Sequence, residues 1–274
     1  MKIITKSKNI VLNVLIVGIS TIFFTPGLVI FINSLKTKQE ARILNLSLPE
    51  AIKVINYQEV IERGKLISSF LNSALYSIGG VILILCITTA GAYVLSRNKT
   101  KLNQFIYFFI VLGIAMPINY IALMKVMQFT NLINTRIGMI ILYTGLNIPI
   151  SLFIAYGFIG NIPRELDEAA ILDGCSSIEL FYKIIFPLLK PVIATLAVLN
   201  FMGIWNDFIM PLYYLNASSK WPMTLAVYNF FGMFQHEWNL VCADIVLTSI
   251  PVLIVYLLGQ KYIVDGMVSG SVKG

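Results

Sequence analysis

Six apolar runs, each long enough to cross a lipid bilayer, constrain the fold of this 274-residue chain more than any other feature. A helix needs about 20 predominantly apolar residues to span the hydrocarbon core. The sequence therefore predicts an all-α, polytopic membrane protein with six transmembrane helices. The predicted spans are Ile10 to Ile32, Ser69 to Leu95, Phe105 to Met127, Ile137 to Ile159, Leu188 to Leu212 and Val241 to Ile263.

Pro26 lies in the first predicted span and Pro117 in the third. Proline has no amide hydrogen, so it removes a hydrogen bond from the interior of a helix. A membrane protein tolerates this where neighbouring helices or a cavity satisfy the freed carbonyl. We expect both helices to be kinked or broken at these prolines.

The composition excludes a soluble domain and gives no support to nucleic-acid binding. The net charge of +7 would suggest a nucleic-acid partner in a soluble protein, but 58% of the residues are hydrophobic and only 12% are charged. This is too apolar for a soluble fold with an ordinary charged surface. The cations must therefore be interpreted by their position relative to the membrane.

Lys and Arg accumulate in the cytoplasmic segments of membrane proteins. With the amino terminus inside, the short outside loops carry only Arg136 and Lys220, and Lys125 lies near a span end. The outside segment from Asn33 to Ser68 is nearly balanced in charge, which translocation permits. The apolar run near the amino terminus resembles a signal peptide but continues too far, so we expect it to remain as an anchor. The predicted orientation places both termini in the cytoplasm. The inside cations are Lys2, Lys6, Lys8, Arg97, Lys99, Lys101, Arg164, Lys183, Lys261 and Lys273.

The longest markedly polar stretch between two predicted spans, residues 161–191, is also predicted to be cytoplasmic. Pro163 and the acidic residues after it are typical of a helix start, and Gly174 is a natural stop signal. Ser176 and Glu179 have the spacing of a capping box, which predicts a second helix from Ile178 to about Ile185. The stretch is thus predicted to form a helix-turn-helix.

Within this stretch, Glu168-Ala169-Ala170, Gly174 and the Ile184-x-Phe186-Pro187 ending resemble the EAA loop of ABC importer permeases. Leu usually holds the place of Phe186 in that family. Asp173 before Gly174 makes the carbohydrate-importer branch, with permeases like the second subunit of the maltose transporter, the nearest likeness. The alternative is a solvated loop helix in which the triplet occurs by chance.

The resemblance implies one transmembrane permease domain over residues 1–274, with a family-like core at about 69–263 and the EAA loop at 161–187. It implies a second, homologous permease, two ABC ATPase subunits and an extracytoplasmic solute-binding protein in a bacterial cell membrane. ATP and Mg would be bound by the ATPases, and this chain would bind no cofactor. In such a loop, small residues allow close approach to the ATPase, and Glu168 and Asp173 supply hydrogen bonds or cap interactions. The residues assigned to ATPase coupling are Glu168, Ala169, Ala170, Asp173, Gly174, Ile184 and Pro187.

Trp205-Asn206-Asp207-Phe208, in the outer half of the fifth predicted span, resembles a pattern of sugar permeases. A charged group deep in lipid is costly, so we expect Asp207 to face protein or water. An aromatic face beside amide and carboxylate groups would suit a sugar. In the alternative interpretation, Trp205 anchors the membrane interface and Asp207 organises the outer loop through backbone hydrogen bonds.

No residue pattern in the sequence indicates catalysis or a metal site. His236 is the only histidine, the three cysteines are far apart, and no Walker motif occurs, so ATP hydrolysis requires a partner. The carboxyl-terminal stretch from Gln260 resembles the end of the carbohydrate branch, or is simply a frayed polar end. Three alternatives stay open: a permease for polyamine, phosphate or glycerol phosphate, an intramembrane enzyme, and a secondary transporter.

Overall fold

The computed structural model describes residues 2–230 and 237–271, with side chains from 12 to 230 and from 237 to 262. Their regular structure is helical, and no strand occurs within those ranges. Short 3-10 turns at Glu40–Arg42, Ser218–Lys220 and Val227–Phe230 lie in the connections. The helices are α1 (Lys2–Ser34), α2 (Ile55–Arg63), α3 (Leu66–Arg97), α4 (Lys101–Leu112), α5 (Tyr120–Phe129), α6 (Arg136–Gly160), α7 (Glu165–Leu172), α8 (Ser177–Leu188), α9 (Lys190–Asn206), α10 (Ile209–Tyr214), α11 (Met223–Ala226) and α12 (Trp238–Ser271).

Four of these helices, α1, α3, α6 and α12, are long and apolar enough to cross a membrane. They coincide with the first, second, fourth and sixth predicted spans. A fifth appears if α8 and α9, which meet at a bend of 72°, are counted as one span. The all-helical, multi-span prediction is thereby confirmed at the level of four to five membrane-length helices.

The third predicted span is divided into the two short apolar helices α4 and α5. Pro117 lies in the break between them, which confirms the predicted break of this span. The side chain of Asn119 then restarts the helix by accepting a hydrogen bond from the amide of Ala122 at 3.0 Å. At Pro26 the helix is not broken, because Pro26 lies inside the continuous helix α1, and the kink there stays a prediction.

Residues up to Ile67 form one compact unit with Ala226–Ile250. Its polar centre is Asn56, which is buried near the start of α2. The Asn56 amide donates to the carbonyls of Ser34 and Lys36 at 2.7 and 2.9 Å, and its oxygen accepts from Asn239 at 2.9 Å. These bonds satisfy the end of α1 and tie it to the start of α12.

Residues Ser68–Leu225 form a second compact unit with the part of the chain from Pro251 onward. Its inner core packs α3, α6, α7, α8 and α9 around an apolar cluster. Within it, the buried Asn200 of α9 donates to Ser151 of α6 at 3.0 Å, which fixes the register of those two helices. The members of the cluster are Ala92, Leu95, Leu152, Ala155, Ile159, Ala170, Leu180, Phe181, Ile185, Leu189, Val192 and Leu196.

Candidate functional site

Helix α7, the first helix of the EAA loop, begins and ends within two residues of its predicted limits. Glu165, Asp167 and Glu168 occupy its first turn, where negative charge is favoured by the helix dipole. Its end is a Schellman motif, in which the amides of Gly174 and Cys175 donate to the carbonyls of Ile171 and Ala170, both at 3.0 Å.

Gly174 closes this motif with a φ of +81°, which confirms the stop signal in the sequence. Residues other than glycine adopt this left-handed conformation only at an energetic cost. An added Cβ would meet no atom of the chain within 4 Å, so the turn is open on its outer side. Within this subunit, glycine is therefore required for backbone conformation and not for space.

Helix α8 begins with the predicted capping box. The Ser176 hydroxyl accepts from the Glu179 amide at 3.3 Å, and the Glu179 carboxylate accepts from the Ser176 amide at 3.1 Å. Lys183 adds an ion pair to Glu179 at 2.8 Å. The hydrogen bond from Lys183, followed by those from Ser176, lowers the pKa of Glu179 from 4.5 to about 2. This start of α8 is therefore held by a carboxylate that stays charged well into the acid range.

Beyond its first turn, α8 continues through a π-helical segment, Leu180–Ile185, and ends at Leu188. The predicted end at about Ile185 is thus three residues too early. Pro187 does not stop the helix, because it stands in the first turn of the α-helical segment Phe186–Leu188. The chain then bends by 72° into α9.

The coupling residues predicted from the sequence divide between exposed and covered positions. Glu168, Ala169, Asp173, Gly174 and Pro187 are exposed. Ala170 and Ile184 are not: the apolar cluster around Leu180 and Ile185 covers Ala170 almost completely and Ile184 in part. The expectation that Ala170 leaves bare surface for another protein is therefore wrong, because the subunit's own α8 occupies that side of α7.

An exposed apolar face on the two helices was missed in the sequence. It consists of Ile171, Leu172, Ile178 and Tyr182, whose exposed fractions run from 62% to 88%. Large apolar side chains grouped in this way on a polar loop are typical of a protein-binding surface. The signal was present in the sequence, since Ile171 and Leu172 are two adjacent apolar residues at the end of the predicted helix and Ile178 and Tyr182 are four residues apart on α8.

The second candidate site lies at the carboxyl end of α9, and its predicted residues fall into two different environments. Trp205 is buried at 2% exposure, stacks on Phe201 at 5.3 Å between ring centroids and meets the edge of Phe70 at 5.7 Å. Its indole is thus enclosed by aromatic neighbours and forms no wall of the cavity beside it. The expectation that Trp205 forms one aromatic and polar surface with Asn206 and Asp207 is therefore wrong.

Asn206 and Asp207 do line a cavity of about 350 Å³. Tyr143 and Asn147 of α6 line it as well, and the Tyr143 hydroxyl donates to Asp207 Oδ2 at 2.9 Å. Tyr143 and Asn147 are four residues apart in the sequence, which places both on one face of α6 and could have indicated their shared position. The cavity therefore presents hydroxyl, amide and carboxylate groups.

The Asp207 carboxylate also accepts from the amides of Ile209 and Met210, at 3.1 and 3.3 Å, and so caps the start of α10. Its carbonyl accepts from Thr224 at 2.8 Å. Asp207 thus performs the loop-organising role of the alternative interpretation while facing the cavity. The two interpretations of this residue are compatible in the folded chain.

Among the described residues, no group of three or more His, Cys, Asp or Glu is placed to hold a metal ion. The three cysteines are unpaired. His236 and Lys273 lie outside the described residues, as do the side chains of the carboxyl-terminal stretch beyond Tyr262.

Comparison with known proteins gives a consistent result over most of the chain. Residues 87–268 match the sequence model of a family described as "binding-protein-dependent transport system inner membrane component". The chain is 33% identical over 256 residues to a probable starch degradation products transport system permease protein of Thermoanaerobacterium thermosulfurigenes, covering 93% of each chain. It is 31% identical over 273 residues to the melibiose/raffinose/stachyose import permease protein of Bacillus subtilis, covering 98% of each.

The fold is similar to that of a chain in the crystal structure of a bacterial ABC transporter involved in the import of the acidic polysaccharide alginate. The TM-score is 0.83 at 24% sequence identity, with 94% of this chain and 96% of that chain covered. This likeness concerns the fold.

Proposed function

Since this chain belongs to the family of inner membrane components of binding-protein-dependent transport systems, we propose that it is a permease subunit of an ABC importer for a mono- or oligosaccharide. The observation that supports a sugar as the cargo is the likeness, over at least nine-tenths of the chain, to relatives named for transport of starch products and of melibiose, raffinose and stachyose. The cavity beside Asp207 supports it, because hydroxyl, amide and carboxylate groups pair well with sugar hydroxyls.

We propose six membrane crossings with both termini in the cytoplasm. The six are α1, α3, the α4 and α5 pair, α6, α9 with α10, and α12. The distribution of Lys and Arg supports this orientation. Irregular backbone at membrane depth, as between α4 and α5, is tolerated where it is buried in protein or lines a cavity. A cavity of about 490 Å³ bordered by Pro117 and Asn119 at that break supports this assignment.

In this proposal the subunit pairs with a second, homologous permease and receives sugar from an extracytoplasmic binding protein. Two ATPase subunits bind ATP and Mg on the cytoplasmic side. The helix-turn-helix of the EAA loop enters a cleft of one ATPase, with its exposed apolar face, Ile171, Leu172, Ile178 and Tyr182, as the buried contact. The exposed residues around Gly174 form the tip of the loop.

Transport follows from two states of the membrane helices. ATP binding closes the ATPase pair, the EAA loop moves with its ATPase, and the helices turn the cavity outward; hydrolysis returns it inward. This coupling requires that the loop bind the two ATPase states with different affinity, since a ligand shifts an equilibrium only by its differential binding.

The test is ATP-driven uptake into vesicles containing this subunit, its partner permease, both ATPases and the binding protein. Radiolabelled malto-oligosaccharide, melibiose and raffinose are compared with spermidine and glycerol phosphate. We expect accumulation of at least one sugar that depends on both ATP and the binding protein. Uptake of spermidine or glycerol phosphate without uptake of any sugar would contradict the proposed cargo. Uptake that is independent of ATP would contradict the importer itself.

A further inference from the structure

The inner end of α3 and the start of α7 are joined by two arginines that reach in opposite directions. Arg97, the last residue of α3, forms an ion pair with Asp167 of α7, with 2.6 Å between Nε and Oδ2. Its two terminal nitrogens donate to the carbonyl of Ile162 at 3.1 and 3.2 Å. The two charged side chains are only 13% and 14% exposed, so the pair is largely shielded from water.

Arg164, just before α7, reaches back in the other direction. Its Nη2 donates to the carbonyls of Ser96 and Arg97, each at 3.4 Å. These are among the last carbonyls of α3, which have no donor within their own helix. A cation at the carboxyl end of α3 and the Asp167 carboxylate in the first turn of α7 both stand where helix dipoles favour them. The geometry therefore joins the ends of two helices and not merely two side chains.

A shielded ion pair is weak evidence for stability, because desolvation offsets most of the attraction between the charges. It is stronger evidence for orientation, since the planar guanidinium of Arg97 donates to the Ile162 carbonyl and, from Nη2 at 3.5 Å, to Asp167 Oδ1, in fixed directions that Lys cannot reproduce. Ala170 lies three residues beyond Asp167 along α7, on a neighbouring face, and belongs to the apolar cluster that includes Leu180 and Ile185 of α8. Helix α7 is thus attached to α8 by packing and to α3 by Arg97.

We propose that Arg97 is a positioning residue for energy coupling: through Asp167 and Ile162 it makes α7 turn together with α3. A movement that an ATPase applies to the EAA loop then reaches the second membrane span directly, in addition to α9. The inference rests on the proposed function, because it assigns α7 as the helix that the ATPase moves.

The first test compares Arg97→Gln and Asp167→Asn with Glu165→Gln in reconstituted vesicles. Glu165 is an exposed carboxylate in the same turn and forms no ion pair within the described residues, so it is the matched control. We expect the ATP hydrolysed per sugar imported to rise at least about fivefold for either variant of the pair. The double variant should be no worse than the single ones, because residues that act through one contact are not additive. The control should match wild type. An unchanged ratio in Arg97→Gln would overturn the proposal.

A second test replaces Arg97 and Asp167 with cysteines in a background without Cys86, Cys175 and Cys242, and joins them with a short thiol cross-linker. Comparing the same preparation before and after cross-linking removes any defect of folding or insertion from the result. If α7 turns with α3, the covalent link restores the low ratio of hydrolysis to import. If the contact must open during transport, the link stops import, and the proposal is wrong.

A third measurement does not depend on the cargo. Spin labels at Lys99, just after α3, and at Glu165, in the first turn of α7, report the distance between the two helices with and without bound ATP. We expect one unchanged distance in wild type and a distance that shifts with ATP in Arg97→Gln. A wild-type distance that changes with ATP would refute the joint movement even where sugar uptake is normal. Failure of wild-type sugar uptake with a constant distance would instead count against the proposed cargo alone.

Discussion

Substitutions at Gly174 can separate the local fold of the EAA loop from its proposed contact with an ATPase. Its φ of +81° costs an ordinary residue about 1–2 kcal/mol. An added Cβ would meet no atom of this subunit within 4 Å. Gly174→Ala and Gly174→Leu therefore impose the same backbone strain, and the Cβ that both add meets no atom of the chain. Gly174→Asn imposes less strain, since Asn adopts the left-handed conformation more readily.

Ala and Leu differ in the atoms beyond Cβ, and these atoms would meet a partner that closes over the turn. Overpacking a tight contact costs about 1–3 kcal/mol. Because about 1.4 kcal/mol corresponds to a factor of ten in an equilibrium, Leu should weaken retention of the ATPase about 5- to 140-fold more than Ala does. Asn carries less backbone strain than Leu but still adds a side chain at the proposed contact, so its retention should lie between those of wild type and Leu.

The assay measures the dissociation of ATPase subunits from the membrane-embedded permease pair, together with ATPase stimulation by the sugar-loaded binding protein. Insertion of each variant at the wild-type level is the control for folding. Equal losses in Ala and Leu would mean that only the turn conformation matters and that no partner surface lies within reach of position 174. Unchanged retention and stimulation in all three variants would remove the EAA loop as the coupling element.

Three further predictions follow from other parts of the chain. Asp207→Asn keeps one acceptor oxygen at the start of α10 but removes the charge and the second acceptor, so sugar uptake should fall while insertion stays normal; Asp207→Leu keeps no acceptor and should lose more. Wild-type uptake by Asp207→Leu would refute any role of the Asp207 side chain in the cavity. Cysteine at Lys99 should react with an impermeant reagent only from the cytoplasmic side and cysteine at Ser218 only from outside; the opposite pattern would reverse the orientation. The pKa of Glu179 lies below its ordinary value in the folded loop, so its contribution to α8 is complete above pH 4.5 and is lost as the pH falls towards about 2. Hydrogen exchange of the α8 amides, corrected for the intrinsic rate, should show this acid-dependent loss in wild type and not in Glu179→Gln; the same profile in both would contradict the carboxylate's role.

The limits of α7 and the start of α8 follow from local chemistry, and the sequence predicts them correctly to within two residues. Pro163 and the acidic first turn, the stop at Gly174 and the capping box of Ser176 each depend on residues within four positions of one another. The membrane-length helices α1, α3, α6 and α12 follow from the length and apolarity of their runs in the same way. The break at Pro117 also follows from local residues, because Asn119 caps the helix that begins after it.

The sequence does not reveal which side of an apolar helix is covered. In α9, apolar residues occur on all sides, so periodicity cannot distinguish the face that packs on α6 from the face that lines the cavity. Trp205 and Asn206 are neighbours in the chain, yet one is buried among aromatic rings and the other is exposed to the cavity. For the same reason Ala170, which looks like open surface in the sequence, is covered by α8.

Contacts between distant residues were decided by the tertiary structure alone. Arg97 and Asp167 are 70 positions apart, and Tyr143 and Asp207 are 64 apart. Nothing local to either member indicates its partner, because the pairing depends on which helix ends and faces meet once α3, α6 and α9 have packed. The sequence by itself therefore determined the helices, their local caps and the family resemblance. The packing of those helices determined which residues face the cavity, which stay exposed on α7 and α8 and which join α7 to α3, because burial and long-range pairing are properties of assembled faces and not of neighbouring residues.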